Sequence, residues 1–149
     1  MRAIDCLYQI RYIEEEIQDC GLCAEEVRTR ACNIVAPMDK ERVQSSGDSD
    51  RVGTACARIV DLERKQEELF ERLEAIKSVC LSCISEIDNE NYRKILVGKY
   101  FKGKSMYQLS KEIGILYRST KRAHKMALER FVMIYDTRYA ENLTDTNKM

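Results

Sequence analysis

A chain of 149 residues with 34% charged and 7% aromatic side chains, a single proline and a formal net charge of zero has the composition of an all-helical protein with charged outer faces. It contains no run of 18 or more apolar residues, which excludes a membrane-spanning helix, and its opening MRAIDCLYQIRYIEEE places acids inside the apolar stretch, unlike a signal peptide. Seven cysteines without an export signal fit reduced thiols and a cytoplasmic location.

The neutral total hides an asymmetry. Residues 1–91 hold 12 basic and 20 acidic side chains, a balance of −8. Residues 92–138 hold 12 basic and 3 acidic ones, a balance of +9, and residues 139–149 add −1. A basic block behind an acidic one points to a polyanionic partner.

Ala3, Cys6, Ile10, Ile13, Ile17, Cys20, Ala24, Val27, Ala31 and Ile34 recur at alternating spacings of three and four, between Glu, Asp, Gln and Arg. The spacing predicts a helix over about 2–36 with one buried seam, ended by Pro37. Gly21 lies inside the pattern. Residues 37–49 read as a loop, with Ser49 or Asp50 capping the next helix.

A second alternation runs through Val52, Ala55, Ile59, Leu62, Gln66, Leu69, Leu73, Ile76, Cys80, Cys83 and Ile87, a helix over about 50–87. Together the two predict a long antiparallel, coiled-coil-like helical hairpin as a first domain, 1–88, with a homodimer through that hairpin as one way to bury its seams. If facing positions sum to about 86, Cys20 faces Gln66 and Cys6 faces Cys80. Gln66, the one polar seam residue, either fixes the register or lies at the seam edge with its amide in water.

Cys20–Cys23 and Cys80–Cys83 have metal-ligand spacing, yet both pairs sit inside helical patterns. In the register above Cys20 lies 14 residues from the position facing Cys80, ~21 Å along a helix. Packing as small apolar side chains is the expectation, with no metal and no cofactor.

Residues 89–138 predict three further helices, and 139–149 a flexible tail. The first has Tyr92, Ile95, Leu96, Lys99 and Tyr100 at helical spacing, with Asp88 or Asn89 as cap and Gly103 as a left-handed stop. The second opens with Ser105-x-x-Gln108, a capping box, turns Leu109 and Ile113 inward and ends at Gly114. The third starts near Tyr117 and turns Thr120, Ala123 or His124, Ala127 and Phe131 inward. Ser110 at the helix crossing, Gly114 at the turn and Thr120 beneath the last helix fit a helix-turn-helix.

Arg118, Lys121, Arg122 and Lys125 fall on one face of that last helix, with Tyr117 and Ser119 at its start. Such a helix presents its first residues to base edges in the major groove of double-stranded DNA. Arg118 suits bidentate contact with guanine, while Lys121, Arg122 and Lys125 suit bases or phosphates. Lys99, Lys102, Lys104 and Lys111 are candidates for phosphate contact. His124 reads as a packed or edge histidine. No phosphate loop, catalytic triad or paired acids stand out, so no enzyme is expected.

The run SMYQLSKEIGILYRSTKRAHKMALERF (105–131) resembles region 4 of sigma-70-type RNA polymerase sigma factors. The wider chain is similar to small phage and prophage proteins with sigma-region-4-like C-termini, through ERVQSSGDSDRV (41–52), IVDLE (59–63) and YRSTKRAHKMAL (117–128). The resemblance implies a helix-turn-helix transcriptional regulator akin to phage late-gene activators of the ArpU and RinA type, working in a bacterial host. With no counterpart of sigma region 2, it implies action with the host RNA polymerase. A small terminase-like packaging or assembly protein, and a polymerase-binding module without DNA readout, are the alternative functions.

Overall fold

The computed structural model describes residues 2–35 and 48–145, with side chains for 2–33 and 51–139. Among the described residues all regular structure is helical. The elements are α1 (Ala3–Val35), α2 (Asp48–Ser85), α3 (Glu90–Leu96), a π-helical turn (Val97–Phe101), α4 (Met106–Ile113) and α5 (Tyr117–Asp145). No helix among them is long and apolar enough to cross a membrane.

The expected loop lies outside the described residues except at its end. Ser49 and Asp50, expected as caps, are already helical in α2, because a Ser-Asp-rich stretch offers several equivalent starting points. Residues 139–145 continue α5, and only 146–149 fall outside the described residues. Tertiary anchors explain the extension. Arg138 pairs with Glu86 and donates to the Ser82 hydroxyl of α2.

The chain forms two compact units, one of Met1–Tyr12 with Leu73–Met149 and one of Ile13–Arg72. These cut the chain elsewhere than a boundary at 88–89, since both outer ends of α1 and α2 belong with α3–α5. In the larger unit α3 and α4 pack on α5 and on each other. Its core contains Leu7, Ile10, Ile84, Ile87, Ile95, Leu96, Tyr100, Leu109, Ala127 and Phe131. Burying a large apolar side chain contributes roughly 1.5–3 kcal/mol, so this cluster holds the unit together.

Local chemistry sets the shorter helices. Asn89 Oδ1 accepts from Asn91 N (2.9 Å) and Tyr92 N (3.4 Å), capping α3. Arg93 Nη1 donates to the Ile87 carbonyl at 2.5 Å, tying α3 to the turn that follows α2. The π-helical turn then brings Gly98 against α4. A Cβ there would stand 2.3 Å from Leu109 Cδ2, so the approach requires glycine. Gly103 takes φ +65°, the expected left-handed stop.

In the smaller unit Ile13, Ile17, Cys20, Ala24 and Leu69 are buried, while Val27, Ala31, Ile59 and Leu62 are half-buried. Lys65 Nζ lies 3.0 Å from Glu16, and Arg28 pairs with Glu63. Gln66 Nε2 donates to the Ile17 carbonyl at 3.3 Å and would lie 3.4 Å from a Cβ on Gly21. The amide of Gln66 is thus partly buried and bonded to α1 rather than left in water at the seam edge.

Candidate nucleic-acid interface

The candidate site is built on α4, the turn after it and the first half of α5. Ser105 and Gln108 complete the capping box: Gln108 N donates to Ser105 Oγ (3.2 Å), and Ser105 N donates to Gln108 Oε1 (2.9 Å). At the other end Gly114 adopts φ +78°, and the N–H groups of Gly114 and Ile115 both donate to the Ser110 carbonyl, at 3.0 and 3.2 Å. A left-handed residue at this point reverses the chain in three residues, so α5 begins at Tyr117.

Ser110 and Thr120 are polar residues at the buried contact. Their hydroxyls do not need a partner across it. Ser110 Oγ donates to the Tyr107 carbonyl (2.7 Å) and Thr120 Oγ1 to the Leu116 carbonyl (3.1 Å), each within its own turn. Leu109, Thr120, Ala127 and Phe131 are buried, and Ile113, Ala123 and His124 half-buried, so the inward face follows the expected positions.

Arg118, Lys121, Arg122 and Lys125 are exposed on the opposite side of α5. At about 100° per residue they span an arc of about 100°. Tyr117 and Ser119 are exposed beside them. Lys121 Nζ lies over the Tyr117 ring at 4.8 Å, and on α4 Lys111 Nζ lies over the Tyr107 ring at 4.6 Å. These contacts hold two flexible ammonium groups at the surface without neutralising them.

Lys104 differs. Its Nζ lies 2.6 Å from Glu112 Oε1, so its charge is already met. Among the described residues no carboxylate pairs with Arg118, Lys121, Arg122, Lys125 or Lys111. Seven of the eight candidate residues are thus exposed with no carboxylate partner among the described residues, and Lys104, paired with Glu112, is the exception.

Behind the basic face, His124 Nε2 lies 3.1 Å from the Tyr100 hydroxyl, and the two rings stack at 5.9 Å. Burial, and then the nearby Lys99 ammonium, hold the His124 pKa below its ordinary value. Burial, with Tyr8 next to it, pushes the Tyr100 hydroxyl up, so this phenol stays protonated and can donate to a neutral His124.

Cys80 and Cys83 are buried, and burial first, then Cys6 and Cys83, push the Cys80 thiol up to about 12. A thiol held protonated in this way is neither nucleophile nor ready ligand. In the other pair Cys20 is buried and Cys23 exposed. Among the described residues no group of three or more His, Cys, Asp or Glu side chains is placed to hold a metal ion.

Leu116 attracted no expectation from sequence. It directly precedes α5 and is 78% exposed. The available signal was a leucine at a helix start, where Ser, Thr, Asp or Asn is the usual choice. The chain matches no family model, no curated protein and no solved structure.

Proposed function

We propose that this protein is a sequence-specific double-stranded DNA-binding regulator of transcription, in which α4, the Gly114 turn and α5 act as a helix-turn-helix. The observation that carries this reading is the exposed cationic face Arg118–Lys121–Arg122–Lys125, unpaired by carboxylates among the described residues and set directly after a capped helix and a left-handed glycine. A purely solvated helix face needs neither the turn nor the packing of Thr120, Ala127 and Phe131 that fixes its direction.

In this reading the first two turns of α5 enter the major groove. Arg118 addresses a guanine through its planar fork, Lys121, Arg122 and Lys125 meet bases or phosphates, and Lys111 meets a phosphate. Lys104 contributes least, because Glu112 already neutralises it. The half-buried residues Val27, Ala31, Val52, Ala55 and Ile59 favour a partner on the smaller unit, either a second copy of the chain or the host RNA polymerase. Catalysis has no part in this reading.

Selection from a random duplex pool, followed by fluorescence anisotropy across a salt series, tests the proposal. About four or more phosphate contacts give a log–log salt slope near −4 or steeper. Lys125→Ala reduces that slope by about 1, and Arg118→Ala relaxes preference at one base pair. Absence of salt-sensitive duplex binding at micromolar protein overturns the reading.

A further inference from the structure

We infer that Leu116 is a base-reading residue whose side chain meets the 5-methyl group of a thymine in the major groove, beside the base addressed by Arg118. The inference rests on the DNA-binding reading above and adds a specificity determinant that charge alone does not supply.

Leu116 is the most exposed of the large apolar side chains among the described residues, at 78%. Scattered exposed leucines are ordinary on protein surfaces. This one occupies a position with a specific local demand. Thr120 N donates to the Leu116 carbonyl at 2.9 Å, the first bond of α5, which makes Leu116 the N-cap residue. The two short helices are capped conventionally, α3 with Asn89 and α4 with Ser105. At the start of the basic helix a leucine stands in the cap position, where its side chain cannot accept a hydrogen bond from the first N–H groups of the helix.

Packing does not account for the choice either. Ile115, half-buried, and Thr120, fully buried, face inward around it, while Leu116 points into solvent. A position that forgoes both capping and burial breaks the local rules without a structural return, the pattern found at functional sites.

The surroundings define what it would touch. Leu116 precedes Tyr117, also exposed, and Arg118, and the cations of α5 follow within two turns. A surface that draws in a polyanion and carries an apolar tip needs an apolar feature on that polyanion. In the major groove the thymine methyl is that feature, and it distinguishes A·T from the other pairs.

The test uses the full-length protein and a duplex recovered by selection, with each thymine replaced in turn by uracil. Uracil keeps the pairing edge and lacks only the methyl group. At one position the substitution weakens wild-type binding about fourfold, the effect of removing one buried methyl. Leu116→Asn abolishes that difference and raises the melting temperature, because asparagine caps the helix. Leu116→Met retains the difference. Equal binding of thymine and uracil duplexes at every position overturns the inference while leaving DNA binding intact. So does a preference that persists in Leu116→Asn, or a lower melting temperature for that variant, which would mark Leu116 as a packing residue. If selection recovers no duplex, both readings fall together.

Discussion

Residues 13–72 carry 9 basic and 15 acidic side chains, whereas the remainder of the chain carries 16 and 10. The two units therefore hold −6 and +6 within a neutral total. They also differ in how they bury apolar surface. The smaller relies on one seam between two helices, fully buried only around Ile13–Ala24 and Leu69. The larger draws its core from every helix of the structure, with Leu7, Ile10, Ile95, Leu96 and Phe131 at 0% exposure. A charged surface can address a ligand with directional contacts only if its backbone is fixed from behind, and that condition holds in the positive unit.

The contrast can be broken most forcefully at Phe131. Phe131→Ala costs about 3–5 kcal/mol, and hydrogen exchange is expected to lose protection in α3–α5 while residues 13–72 keep theirs. Equal loss in both would show that the two units unfold as one. A smaller effect is expected at Gly98. The Gly98→Ala side chain collides with the buried Leu109, at a cost of about 1–3 kcal/mol, read as a lower denaturant midpoint.

Acid should separate the units further, because the one histidine, His124, lies in the larger. Its folded pKa is depressed, so the folded state binds fewer protons than the unfolded chain below the ordinary value of 6.5. Its stabilising contribution is complete above that value and is lost as pH falls through the folded pKa. Thermal melts from pH 7.5 to 5 should show this slope in the wild type, and His124→Gln should flatten it. The smallest change expected is a gain. Gly21→Ala raises helix propensity by up to about 1 kcal/mol, against a mild contact with the Gln66 amide 3.4 Å away. A loss of stability there would mean that Gln66 tolerates no crowding and locks the α1–α2 pairing.

Much of this arrangement is legible in the sequence, because periodicity and capping are local. The alternations located α1 and α2 to within two residues of their observed ends, and Asn89, Ser105, Gly103 and Gly114 marked the short helices correctly. Periodicity names a face but not its depth, which is why Val27 and Ile59 matched the seam as well as Ile13 while being only half-buried. The continuation of α5 past residue 138 depends on Arg138 reaching Glu86 and Ser82, 52 and 56 residues earlier, and no local pattern carries that. The close approach of Gly98 to Leu109, 11 residues later, is likewise invisible to a local pattern. In the candidate site the basic residues were legible from spacing. The neutralisation of Lys104 by Glu112 and the exposure of Leu116 needed coordinates.

Gly98 and Gly114 are both glycines that cannot be replaced without cost, but for reasons that chirality separates. Gly98 has helical backbone and no room, whereas Gly114 has φ +78° and nothing within 4 Å of an added Cβ. The constraint at Gly114 is one of handedness. A D-alanine placed there by chemical ligation would occupy its natural left-handed region and narrow the unfolded ensemble, so the mirror-image residue should strengthen the turn where the L-residue weakens it. The direction in which the basic helix leaves α4 is thus set by a stereochemical choice at a single α-carbon.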